Sequence, residues 1–103
     1  MNIQKLEKEF IGRGEVKGFQ FKQLCETDKY YIYSVVIPYS KTPYYEVFKK
    51  EISPLCVDFQ NRIYSDKDFV EVYPKSNKFG VSAWTYYNYE RAFDKIKKEI
   101  KKL

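Results

Sequence analysis

The sequence predicts an α+β domain: an antiparallel meander sheet of four to six strands, with a C-terminal helix packed on one face. Three observations lead there. From Glu15 to about Tyr86 the apolar residues recur with period two, the spacing of strands in a sheet. Short polar turns such as ETDK and KSNK separate these runs. After Asn88 the period lengthens to that of a helix. At 103 residues the whole chain, 1–103, is read as one domain.

The elements follow in order. Ile3, Leu6 and Phe10 share one helical face behind Asn2 as a cap, so residues 2–10 suit a short N-terminal helix. Gly12 and Gly14 would end it. GFQFKQL puts Phe19 and Phe21 on one strand face and Gln20 and Lys22 on the other. KYYIYSVVI is the most strand-like run, with Tyr31, Tyr33, Val35 and Ile37 on one side. Pro38 and Pro43 bracket a connection, and YYEVFKKEI is the next strand. The looser SPLCVDFQNRIYSDKD holds one expected strand, about Val57 to Tyr64, then a hairpin turn at SDKD. FVEVYP and FGVSAWTY complete the sheet, with Phe79, Val81 and Ala83 on one face and Trp84 on the other. The closing helix should run from about Tyr89 to Lys102, capped by Asn88. Its stripe of Tyr89, Phe93, Ile96, Ile100 and Leu103 would pack on the sheet.

Composition narrows the function. Tyr contributes 11 residues and Phe 8, enough aromatic surface for a folded core despite 32% charged residues. The net charge of +5 is concentrated at the two ends. It fits an anionic partner, or a lysine-rich solvated surface. There is no histidine, so neither a Ser-His-Asp nor a Cys-His nucleophile system can be built. Two distant cysteines without imidazole make a poor zinc set. The GRG of residues 12–14 is too short for a phosphate-binding loop. No catalytic residue, metal or cofactor is therefore expected, and the chain is read as non-enzymatic. The start MNIQKLEKEF lacks an apolar signal core, and no run is long enough for a membrane span. A cytoplasmic protein with reduced Cys25 and Cys56, both packing residues in strands, is expected, and no membrane partner. A Cys25–Cys56 disulfide would require an oxidising compartment.

Binding is the better class. Tyrosines interleaved with lysines suit single-stranded RNA or DNA, because rings stack on bases while lysines follow phosphates. They suit a protein partner equally well, since Tyr is enriched at interfaces. The candidates are Tyr30, Tyr31, Tyr33, Tyr44, Tyr45, Lys49 and Lys50. Tyr86 and Tyr87 join them at the strand-to-helix corner, where both cannot be buried. Arg91, Lys95, Lys98 and Lys102 form a basic stripe on the helix, either a phosphate-tracking ridge or the solvated back of an amphipathic helix.

FIGRGEVKGFQFKQL, YYIYSVV, YYEVFKK and VYPKSNKFGVSAWTYYNYERAFDK together resemble small accessory proteins of bacteriophages and related mobile elements. The most specific parts are YYEVF and the FGVxAWTY pattern. Residues 52–68 look like an expansion relative to that pattern, with an acidic bias of their own. The resemblance carries over no catalytic residue. It implies a cytoplasmic protein of a bacterial host that binds a host protein or ribonucleoprotein. The sharpest form is an inhibitor of host defence, of the kind that blocks CRISPR effector nucleases. Being basic, such a chain would engage guide RNA or a groove near it rather than imitate nucleic acid. The alternative is a single-stranded nucleic-acid-binding protein. A structural protein assembling through sheet edges is a third reading. Oligomeric state is left open by the sequence.

Overall fold

The computed structural model describes residues 2–101, and it is α+β as expected. Eight strands, β1 (Asn2–Gln4), β2 (Glu9–Ile11), β3 (Gln20–Glu26), β4 (Tyr30–Val36), β5 (Tyr44–Lys49), β6 (Ile52–Asp58), β7 (Ile63–Glu71) and β8 (Ala83–Tyr86), precede one helix, α1 (Tyr89–Lys101). They form two sheets. A five-stranded antiparallel sheet runs in the order β2-β3-β4-β5-β8, a meander interrupted before its last strand. During that interruption the chain leaves to make β6 and β7, which join β1 in a separate three-stranded sheet.

β4 is central and covered on both faces, which is why YYIYSVV reads as an almost continuous apolar run. One face carries Phe21, Tyr31, Tyr33, Val35, Phe48 and Ala83. It is closed by Leu6, Tyr73 and Phe79 from connecting segments and by Phe10 from the edge strand β2. The other face carries Tyr30, Ile32 and Val47, closed by Ala92 and Ile96 of α1. Asn88 caps the helix as expected: its Oδ1 accepts from the Glu90 amide at 2.7 Å. Ile96 is 1% exposed, Phe93 is half-buried and Tyr89 is exposed, so the packing line runs through Ala92 and Ile96. The Leu103 position and the Ile100 side chain lie outside the described residues.

Five expectations are corrected. Residues 2–10 form no helix: β1 pairs in parallel with Asp68–Val70, and β2 pairs antiparallel with β3. A nine-residue helix is marginal by itself, and distant backbone partners satisfy the same groups. The strand expected over about Val57 to Tyr64 is broken in its middle: β6 ends at Asp58 and β7 begins at Ile63, with the turn at residues 59–62, where Arg62 adopts φ 54°. Asp58 organises that turn by accepting from the Asn61 side chain at 2.7 Å. SDKD instead lies inside β7, where the Ser65 hydroxyl accepts from the amides of Lys67 and Asp68. Residues 80–82 form a turn rather than strand, with Gly80 at φ 93°, so Phe79 makes only an isolated bridge to Ala83 and Val81 is exposed. Ile37, placed on the core side by its spacing, lies just past β4 and is exposed.

The two sheets are not stacked. The radius of gyration is 14.7 Å, against roughly 13 Å for a compact domain of about this length. The strands of the second sheet hardly touch those of the first, and this sheet is called the arm below. No residue of β1, β6 or β7 is buried.

Candidate binding site

The sequence-predicted tyrosines fall into different environments. Tyr30 is buried beneath α1, and its hydroxyl donates to Glu99. Tyr31 is 1% exposed on the opposite face and donates to Glu71 at 2.5 Å. Tyr33 is fully buried and donates to the Glu7 carbonyl at 2.7 Å. These three rings belong to the core and are closed to bases, which corrects their reading as exposed stacking residues. Tyr44, Tyr45 and Tyr86 are half-buried, with Tyr45 edge-on to Tyr89. Tyr87 is 87% exposed.

The lysines divide likewise. Lys49 is exposed at the end of β5. Lys50 is half-buried, bonded to Glu26 at 2.6 Å and resting on the Tyr31 ring. Lys5 reaches the same Glu26, and the two ammonium groups hold that carboxyl down to about 2. On α1, Arg91 and Lys98 are exposed, whereas Lys95 stacks on Trp84 at 4.1 Å and pairs with Glu99. The basic stripe is thus broken at Lys95, because Trp84 reaches up from β8. Lys102 lies outside the described residues.

The arm carries what the tyrosine pattern missed. Ile3, Phe69 and Pro54 lie in one register row across β1, β7 and β6. Ile3, Ile52, Val57, Ile63 and Tyr64 are exposed, and Phe59 at the tip is 87% exposed. Cys56, expected as a packing residue, is exposed here with a free thiol. Cys25 is free and half-buried, and burial pushes its thiol up. Residues 51–71 hold five carboxylates against Arg62 and Lys67, a local charge of −3 in a chain of +5. Pro54 in the outer strand β6 lacks an amide hydrogen, and β6 is bulged, which discourages edge-to-edge strand addition. The arm therefore offers side chains rather than a free ladder.

Where the arm rejoins the body, two grooves open. One, of about 690 Å3, runs between the sheets, lined by Leu6, Phe10, Val16 and Val70 among others. Glu71 lines it and accepts from the Leu6 amide at 2.9 Å as well as from Tyr31. The second, of about 730 Å3, lies between residues 13–16 and 73–79, with Glu46 contributing to its lining. Glu46 is 3% exposed. Burial pushes its carboxyl up to about 7, against hydrogen bonds from Tyr73 and Tyr44 that pull it back. The signal was present in YYEVFK, where Tyr44, Glu46 and Phe48 share a core-facing side of β5. A carboxylate there breaks the alternation.

Among the described residues, no group of three or more His, Cys, Asp or Glu converges on a metal-sized site, and no helix is long and apolar enough to cross a membrane. No protein-family model, no curated protein and no solved structure matches the chain.

Proposed function

We propose that this chain is a non-enzymatic binding protein that docks through its arm onto a protein partner. Its setting would be that of a phage-type accessory protein acting on a host protein or ribonucleoprotein, with inhibition of host defence as the sharpest form. One observation carries the reading: the three-stranded sheet has exposed apolar side chains and no buried residue. Sheets acquire stability by burying one face, and contiguous exposed apolar surface marks interaction sites. The −3 charge of residues 51–71 repels phosphate and favours a basic protein surface. Single-strand binding draws less support. Tyr30, Tyr31 and Tyr33 are in the core, and Lys50 and Lys95 are engaged by carboxylates, so among the described residues these candidates do not make a continuous track of exposed rings and free cations.

Affinity capture from bacterial lysate tests the reading with three baits: wild type, Phe59→Ser/Tyr64→Ser, and Arg91→Gln/Lys98→Gln. Any captured protein is then purified and titrated against each bait. The arm variant should lose the complex and the helix variant should keep it. Loss confined to the helix variant, or micromolar, salt-sensitive binding to labelled single-stranded RNA or DNA, would transfer the function to the nucleic-acid alternative.

A further inference from the structure

Glu46 is costly where it stands. It occupies the middle strand-face of β5, in register with Tyr33 on one side and Thr85 on the other. A buried carboxylate normally has a cation beside it, because unpaired burial is expensive. Among the described residues Glu46 makes no ion pair. Its hydrogen-bond partners are neutral phenols: Tyr73, donating at 2.5 Å, and Tyr44 from its own strand. A carboxylate has about four acceptor positions. Two phenols do not fill them, and Glu46, though only 3% exposed, contributes to the lining of a groove. The groove beside Glu46 has aromatic lining from Tyr73 and Phe79, and Arg13, Glu15 and Lys75 line it as well. At about 730 Å3 it is large enough for a long side chain.

We propose that this groove is a subsite for a guanidinium group, an arginine side chain presented by a protein segment, with Glu46 as its counter-ion and Tyr73 and Phe79 as its walls. Guanidinium is the cation that fits. Its planar fork donates two parallel hydrogen bonds to one carboxylate, and its face stacks on aromatic rings. An aliphatic ammonium matches the charge but neither the fork nor the stacking. The phenols keep the carboxylate oriented before the ligand arrives, so little ordering remains to be done on binding. None of these residues belongs to the arm's exposed set, so the subsite stands independently of the arm as an interface.

The test is a proton–nitrogen NMR titration of the full chain at pH 8 with the capped peptide Gly-Arg-Gly. The same peptide with citrulline, and free agmatine, serve as comparisons. Saturable shifts centred on Glu46, Tyr73 and Phe79 are expected for the arginine peptide. The citrulline peptide should bind at least about tenfold more weakly, since a hydrogen bond to a charged group is lost. Agmatine binding as tightly as the peptide would overturn the assignment to a protein segment. Equal binding of the arginine and citrulline peptides, or no saturable shift, would overturn the site. Glu46→Gln keeps the shape and should abolish the arginine preference. If that variant does not fold, the wild type decides the matter at pH 5.5, where the arginine preference should collapse. The titratable groups bonded to Glu46 are Tyr44 and Tyr73, and Arg13, Glu15 and Lys75 line the same groove. A preference unchanged between pH 5.5 and 8 would remove Glu46 as the counter-ion.

Discussion

The Tyr73 hydroxyl donates to the Glu46 carboxylate at 2.5 Å, joining the chain that returns from the arm to the middle of the five-stranded sheet. Two residues earlier, Glu71 accepts from the Tyr31 hydroxyl at the same distance. The last residue of β7 and the segment after it are thus fastened to the body by two phenol–carboxylate bonds, both on the face away from α1. The first of these bonds depends on pH.

Glu46 has a folded-state pKa raised to about 7 from 4.5, with burial as the first cause. The folded state therefore prefers the protonated form. The stabilisation is complete below pH 4.5 and is lost as pH rises through 7. The full span amounts to roughly 3 kcal/mol, at about 1.4 kcal/mol per unit. Glu46→Gln removes the titration while keeping an acceptor for a phenol. Urea unfolding at pH 5 and pH 8.5 should show the variant gaining on wild type by about 2–3 kcal/mol between the two conditions. An identical pH profile for both proteins would show that Glu46 is not buried as described.

Glu26 runs the other way. Its hydrogen bonds to Lys5 and Lys50 depress it from 4.5 to about 2. Its contribution is present above pH 4.5 and is lost as pH falls toward 2. Lys5 is largely exposed, so salt should weaken its half of the interaction. Glu26→Gln should flatten the acid limb of the stability curve between pH 4.5 and 2 without changing the limb near pH 7. Thermal melts across that range, with and without 0.5 M salt (about a 4 Å screening length), separate the two carboxylates.

Gly12 tests the loop that covers one core face. A Cβ placed there would meet the Val16 carbonyl oxygen at 2.3 Å and the Phe21 ring at 2.9 Å. The Gly12 amide also donates to Phe19 at 2.7 Å, so the backbone cannot easily retreat. Gly12→Ala should cost roughly 1–3 kcal/mol, whereas Tyr39→Ala on the exposed 37–43 connection should change stability by less than about 0.5 kcal/mol. Equal midpoints for the two variants in denaturant would refute the tight loop.

How much of this was legible depended on whether partners were close in sequence. The faces of β3, β4 and β5 followed from period two, and the helix from its change of period and the Asn88 cap. Tyr30 reads as a binding candidate from its tyrosine–lysine neighbourhood, but α1 covers it. Yet YYIYSVV offers no polar face, which is the mark of a strand covered twice. β1 could not be foreseen, since its partner β7 lies more than sixty residues away. The 59–62 turn has no glycine and relies on Arg62 in a left-handed conformation. A helical wheel showed Lys95 opposite the core, but the wheel contains no Trp84. The grooves beside Glu46 and Glu71 arise where the returning arm crosses the body, so only the misplaced carboxylate in YYEVFK announced either of them.

The helix supplies a graded comparison. Ile96 is buried against Ile32 and Val47, while Phe93 is half-buried with Lys97 over its ring. Ile96→Ala should therefore cost about 2–5 kcal/mol, and Phe93→Ala less. The reverse order in urea unfolding would rotate the helix relative to the sheet.

The arm gives the last prediction. Apart from the Glu71 anchor at its base, a three-stranded sheet without buried side chains has little beyond its own ladder to resist opening. Amides of β6 and β7 should exchange with deuterium well before those of β4 and β5, whose side chains lie in the two cores. Phe59→Ser should leave the melting temperature within about a degree or two, because an exposed residue contributes little to folding. If the arm is completed by a partner, the same β6 and β7 amides become the ones whose exchange slows most on binding, and Phe59→Ser reduces that slowing. Arm amides protected in the free protein as strongly as β4 would mean that the sheet already has a cover, and the case for docking through it would fall.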